Sequence, residues 1–246
     1  MAVQYGKGRG VNALLREMQM LMGQGAAAPP AGTQILSATM LDPTTTTAAN
    51  HVLAVPEAIQ PGDQIVVACN YGGTLSSITF SDTAGSAYSV SPANSSVVGV
   101  QQAAIATIGA AIAAGALTVK ALPNINASGQ MVMFHLRGPA LSINSANVQS
   151  LNGPAQPGTT PTTVGPYNAS GPGLLIALPN INQSGTTTTM TLTGDTGYTE
   201  DIVGGGTYLT AVLHKLTTTA ISGESFTFNS NKTSSARASW LYVPFT

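Results

Sequence analysis

The sequence is poor in charge, in cysteine and in long apolar runs. Charged residues make up 7% of its 246 residues, whereas about 25% is usual in soluble proteins. The formal net charge is −1, and nucleic-acid binding needs clustered Lys and Arg, so we expect no nucleic-acid partner. No run approaches the roughly 18 apolar residues of a transmembrane helix, so we expect no membrane span. The single cysteine, Cys69, excludes an internal disulfide and is expected to be a small buried apolar residue.

The three histidines show no metal-ligand pattern. His135 and His214 lie in strand-like segments without a second His, Asp or Glu at ligand spacing, and His51 is equally isolated. We expect partly buried or interface histidines. A pH-sensitive contact is the functional alternative, because imidazole titrates near neutrality.

The acidic residues do not form an obvious catalytic pair. Glu200 and Asp201 are the only adjacent acids, and glycoside hydrolysis needs two convergent carboxylates. Calcium binding by Asp195, Glu200 and Asp201 is an alternative, although their spacing matches no known calcium loop. The sequence also has no nucleophile elbow or phosphate-binding loop. It therefore predicts a protein that is not an enzyme, with no metal and no cofactor.

What the sequence does contain begins with an amphipathic segment. Residues 11–22 place apolar side chains at helical spacing, which predicts a short helix with polar residues opposite. Residues 23–33 form a Gly-, Ala- and Pro-rich linker. Such a short helix is marginal alone, so residues 1–33 are predicted to anchor the chain to another subunit. One alternative is packing on its own body, and the other is a membrane-surface helix, against which its thin basic face argues. The predicted assembly residues are Val11, Leu14, Leu15, Met18 and Met22.

The remaining residues, 34–246, read as short strands separated by turn signals, which indicates an all-β fold. The segment GDQIVVACN at 62–70 has a similar counterpart, GLLIALPN, at 173–180. Each is followed by a loop tyrosine, an alternating segment, a Gly turn and further strands. We therefore predict a jelly-roll-like β-sandwich built from two similar halves, 34–150 and 165–246.

The loop tyrosines of the two halves, Tyr88 and Tyr198, are candidate ligand contacts. Exposed tyrosines stack on sugars and anchor protein interfaces. The alternative is that they cover the ends of the sandwich.

Three segments carry a family resemblance: PGDQIVVA at 61–68, AAGALTVKA at 113–121 and ASWLYVPF at 238–245. They resemble the β-sandwich virion structural proteins of tailed bacteriophages, of the head-decoration or tail-fibre type, over residues 40–246. The resemblance implies a non-enzymatic surface subunit of a phage particle. Residues 1–33 lie outside it, so their attachment to capsid or tail subunits is predicted from the residue pattern alone. It is compatible with a homo-oligomer, for example a trimer. The alternative is a tail- or fibre-associated module that binds a host receptor or surface carbohydrate.

Overall fold

A computed structural model provides the structure of the chain. The predicted N-terminal helix at 11–22 and its assembly residues, Val11, Leu14, Leu15, Met18 and Met22, lie outside the residues that it describes. Those residues are 32–41, 51–71, 77–91, 94–96, 99–123, 129–138, 149–151, 162–169, 171–182, 190–193, 197–204, 208–217, 219–230 and 236–244.

All regular structure in this part of the chain is β-strand, so the all-β prediction is confirmed. The first strand set comprises β1 (Gln34–Leu41), β2 (His51–Ala54), β3 (Gln64–Tyr71), β4 (Ile78–Asp82), β5 (Ser89–Val90), β6 (Asn94–Ser96), β7 (Gly99–Thr107), β8 (Thr118–Pro123) and β9 (Gly129–Arg137). The second strand set comprises β10 (Gln149–Leu151), β11 (Thr162–Ala169), β12 (Gly173–Asn182), β13 (Met190–Thr193), β14 (Thr199–Gly204), β15 (Tyr208–Thr217), β16 (Ile221–Ser230) and β17 (Ala236–Pro244).

Each strand set forms one large and one small antiparallel sheet. The first large sheet has the order β1-β9-β3-β7-β5, with β6 also pairing with β7, and the first small sheet has the order β2-β8-β4. The second large sheet has the order β10-β17-β12-β15-β14, and the second small sheet β11-β16-β13. Apart from β6, the second set repeats the strand order of the first position by position.

The central strand β3 explains how the sheets are layered. Side chains alternate between the two faces of a strand. Ile65 and Val67 belong to the apolar core shared with the first small sheet. Val66 packs in a second core, together with Leu174 and Ile176 of β12. The first large sheet is therefore covered on both faces, which is why residues 65–69 of β3 are all apolar.

The second large sheet is also linked to its own small sheet. Lys215 of β15 and Glu224 of β16 form an ion pair with a 2.7 Å N–O distance. Both side chains are about four-fifths buried. The second core contains residues of both large sheets, among them Val66 and Leu174, so these two sheets pack face to face. We call this second core the seam.

Candidate functional site

A tight turn leads into β3 and places a carboxylate inside the fold. Gly62 has a φ of 93°, a conformation open to glycine but strained for other residues. The amide of Asp63 donates to the Gln60 carbonyl at 3.0 Å. The Gln60 amide in turn donates to Asp63 Oδ2 at 2.8 Å. The sequence Pro61-Gly62-Asp63 therefore closes on itself and fixes where the Asp63 side chain points.

The Asp63 carboxylate accepts hydrogen bonds from two residues of β9. Arg137 forms a fork, with Nε 2.8 Å from Oδ1 and Nη2 2.7 Å from Oδ2. His135 Nε2 lies 2.8 Å from Oδ2. His135 and Arg137 are two residues apart on one strand, so their side chains leave the same face. We call Asp63, His135, Arg137 and the nearby Glu57 the charged cluster.

These contacts keep Asp63 ionised although it is buried. Burial by itself would raise the pKa of the carboxyl. Hydrogen bonds from Arg137, from the Gln60 amide and from His135 outweigh it and lower the pKa to about 2. The carboxylate is therefore a fixed negative charge and acts only as a hydrogen-bond acceptor.

The other side of the His135 ring faces Glu57. The Nδ1 atom lies 3.9 Å from Glu57 Oε2. An Asp–His pair activates a nucleophile only when the second ring nitrogen faces a hydroxyl or thiol. Here that nitrogen faces a carboxylate, so the arrangement supports an ion-pair network that ties β9 to the entry of β3.

Metal binding has no geometric support in the described part of the chain. No group of three or more His, Cys, Asp or Glu residues there could hold a metal ion. The acidic loop residues proposed for calcium, Asp195, Glu200 and Asp201, lie outside the residues whose side chains are described.

Tyr88 packs against β4 of the first small sheet. Its ring stacks on Phe80, with centroids 6.3 Å apart, and its hydroxyl donates to Asp82 Oδ2 at 3.1 Å. Asp82 Oδ1 also accepts from the amides of Ala84 and Ser86. Burial and the neighbouring Asp82 charge both raise the pKa of Tyr88. Tyr88 therefore helps to hold the turn after β4.

Tyr198 has a different environment. The Lys215 ammonium lies 5.3 Å from its ring centroid, in the range of a cation–π contact. Lys215 also pairs with Glu224. Tyr88 and Tyr198 occupy corresponding places, just before β5 and β14, but their contacts are with different residues.

The other sequence-selected residues are packed inside the sheets. The ring of His51 meets that of Tyr71 edge to face at 4.7 Å. His214 meets Phe134 edge to face at 5.2 Å. Cys69 is a free and fully buried thiol, as expected, and burial raises its pKa.

Sequence reasoning missed the charged cluster as a group. It noted His135 but did not connect it with Asp63, Arg137 or Glu57. The available signal was the i, i+2 spacing of His135 and Arg137, which puts two basic side chains on one face of a strand whose residues 131–134 are apolar.

Comparison with known proteins gives no match, whether with family models, curated proteins or solved structures. Among the described residues, no helix has the length and apolar character needed to cross a membrane.

Proposed function

We propose that the chain is a non-enzymatic structural protein of a tailed-bacteriophage particle, a decoration or cement-type subunit on the virion surface. The observation that supports this proposal is that the charged cluster forms its hydrogen bonds within the fold. His135 and Arg137 both bond to Asp63, and Asp63 accepts from the Gln60 amide in the turn before β3. Polar groups that fasten the fold in this way favour a scaffold over a catalyst. The resemblance of 61–68, 113–121 and 238–245 to phage β-sandwich proteins adds the virion setting.

We also propose that the body is jelly-roll-like and consists of two similar halves. The sequence predicts them at 34–150 and 165–246, whereas the two strand sets divide between β9, which ends at Arg137, and β10, which begins at Gln149. The repeated strand order of the two large sheets and of the two small sheets supports an internal duplication. The repeated sequence pattern that begins at 62–70 and at 173–180 points the same way.

In this proposal residues 1–33 attach the body to the particle. The apolar face of helix 11–22 would pack against capsid or tail subunits, and the linker would let the body stand clear. Neighbouring copies would assemble as a homo-oligomer, with a trimer as one option. The proposal needs no cofactor, nucleic acid or membrane.

The test is to delete residues 1–25 and measure incorporation into particles. We expect an unchanged far-UV circular dichroism spectrum and Tm, together with loss of particle binding. Replacing Leu14 and Met18 by Ser should have the same effect, because it removes two residues of the apolar face. Replacing Arg16 and Gln19 by Ser is the matched control and should leave binding intact. Normal incorporation of the deletion variant would refute the anchoring role.

The alternative is a tail- or fibre-associated module that binds a host receptor or carbohydrate. The partly buried Tyr198 ring, with the Lys215 ammonium beside it, is the feature that favours it. Glycan-array binding by the protein, abolished by Tyr198→Ala and retained in Tyr88→Ala, would support this function. Binding that survives both substitutions would exclude the tyrosine sites.

A further inference from the structure

Glu57 and His135 form an incomplete contact inside the charged cluster. Glu57 Oε2 and His135 Nδ1 are 3.9 Å apart, which is beyond hydrogen-bond distance. Both atoms are buried, and neither has a hydrogen-bond partner in the protein. The His135 side chain has no exposed surface, whereas that of Glu57 is 42% exposed. The contact therefore joins a fully enclosed ring to a carboxylate that reaches water.

The protonation state of the ring follows from its other neighbour. Asp63 is ionised, so it can only accept, and His135 Nε2 must carry the proton of the 2.8 Å hydrogen bond. In a neutral ring Nδ1 is then an unprotonated acceptor. It faces the oxygen of Glu57, which is also an acceptor. Two buried acceptors that face each other are unfavourable, since neither recovers the hydrogen bond it made with water.

We propose that His135 takes up a second proton in mildly acidic solution and that Nδ1–H then donates to Glu57, so that the Glu57–His135 contact is a pH-sensitive brace inside the fold. The proton comes from solvent by way of the exposed side of the Glu57 carboxylate. Uptake turns an acceptor–acceptor contact into a charge-assisted hydrogen bond, the stronger class of such bonds.

The charges around the ring favour this step. The ring is flanked by Asp63 from the turn before β3, by Glu57 from the connection after β2, and by Arg137 from its own strand. The cluster carries one net negative charge while the ring is neutral and none once it is protonated. Arg137 opposes uptake, but its guanidinium is engaged with Asp63 at 2.7 Å. The two carboxylates therefore outweigh it.

The segment that would be braced is already held at several points. The Val55 amide donates to Leu117 O, Ile59 exchanges backbone hydrogen bonds with Ile112, and the Gly62 amide donates to Ile108 O. Glu57 lies between the first two of these anchors. Closing the Glu57–His135 contact would therefore stiffen residues 55–63 without moving the sheets.

The decisive variant is Glu57→Gln, studied in the full-length protein. The glutamine amide can donate to the unprotonated Nδ1 of a neutral His135 ring. The variant therefore forms a hydrogen bond between residues 57 and 135 at any pH, whereas the wild type forms one only after His135 is protonated. We expect the variant to be more stable than the wild type at pH 8 and less stable at pH 5.5. The difference in Tm between wild type and variant should change by about 2–4 °C between these pH values. A difference of the same sign and size at both pH values would overturn the proposal.

A second measurement reads the ring directly. Long-range ¹H–¹⁵N spectra distinguish a neutral imidazole tautomer from an imidazolium. We expect His135 to carry its proton on Nε2 at pH 8, to be doubly protonated at pH 5.5, and to stay neutral to lower pH in Glu57→Gln. His51 and His214 serve as internal references in the same spectra. A His135 ring that remains neutral at pH 5.5 in the wild type, as a bridging water would favour, refutes the brace.

Discussion

The two strand sets solve the same structural problem with different chemistry. In each set, the turn before the central strand must be fastened to the strand beside it. In the first set, His135 lies opposite Ile65, two residues beyond Asp63, and binds the Asp63 carboxylate. In the second set, Tyr242 lies opposite Leu175, two residues beyond Gly173. In both sets, therefore, the side chain that reaches the turn lies opposite a residue two positions further along the central strand. That contact is an Asp63–His135 pair in the first set and Tyr242 packed over Gly173 in the second.

The tyrosine version works without ionised groups. The Tyr242 hydroxyl lies 2.8 Å from Gly171 O and 2.9 Å from Pro172 O, so it donates to the turn backbone. Its ring fills the space beside Gly173, where a Cβ atom would come within 2.3 Å of it. Thr217 completes the arrangement by accepting from the Gly173 amide at 3.0 Å.

The two sets share one strand order but fasten the turn with different polar side chains. Strand order therefore does not determine which polar contacts a fold uses. The fold requires a side chain on the neighbouring strand that can reach the turn, and either an ion pair or a hydroxyl meets that need. The consequences differ with pH, however. The contacts of the first set lower the pKa of Asp63 to about 2, whereas burial raises the pKa of Tyr242 further above its ordinary alkaline value, although the bond to Gly171 opposes the shift.

The largest effect is expected from Asp63→Asn. The amide cannot accept everything that the carboxylate accepts, so Arg137, His135 and the Gln60 amide lose their common partner. Removing one member of a buried charged pair costs about 3–5 kcal/mol. We therefore expect the free energy of unfolding in urea to fall by about 3 kcal/mol. Asp82→Asn is the matched control in another acidic turn, where the side chain is less buried and about 1 kcal/mol is expected. Equal losses would contradict a special role for the charged cluster.

The same variant also tests the acid response of the first set. The pKa of Asp63 in the fold is about 2, against an ordinary value of 3.8. A lowered pKa contributes stability that is present above the unfolded value and lost as the pH falls through the folded value. The wild type should therefore lose about 2 kcal/mol between pH 5 and pH 1.5 that Asp63→Asn does not lose.

A smaller effect is expected in the second set from Gly173→Ala. The new methyl group would meet the Tyr242 ring at 2.3 Å and the backbone oxygen of Val243 at 2.6 Å. The rigid backbone oxygen cannot move away, so overpacking should cost about 2 kcal/mol by thermal unfolding. Gly171→Ala, whose methyl meets only the Tyr242 hydroxyl at 3.9 Å, should be nearly neutral. A neutral Gly173→Ala would show that the ring is loosely held.

The smallest effect is expected from Tyr242→Phe. The ring still covers Gly173, and the two freed carbonyls belong to half-buried residues that water can reach. Loss of one neutral hydrogen bond should cost about 1 kcal/mol, and this cost should not vary between pH 5 and pH 8. A loss as large as that of Asp63→Asn would remove the contrast between the two sets.

Sequence patterns anticipated much of the strand content. The segment at 97–122 has enough alanine for a helix, but its similarity to the Thr-rich segment at 207–226 favours strand, turn and strand. The structure has β7 at Gly99–Thr107 and β8 at Thr118–Pro123. The apolar run at 65–69 offers no polar face, which indicates a strand in the middle of a packed sheet.

The charged cluster could not be predicted in the same way. Asp63 and His135 are 72 positions apart, and only the pairing of β3 with β9 brings them together. No local period encodes that pairing. Tyr88 illustrates a related limit, because a tyrosine beside a turn has the same local sequence whether it faces solvent or stacks on Phe80.

The seam between the large sheets constrains how the molecule is made. Val66, Phe134 and Leu136 leave the ribosome well before Leu174 and Ile176, which cover them. Until then this apolar face of the first large sheet is uncovered, and exposed apolar surface of this kind makes newly synthesised proteins prone to aggregation. The second strand set, which is synthesised last, thus covers the apolar face of the first.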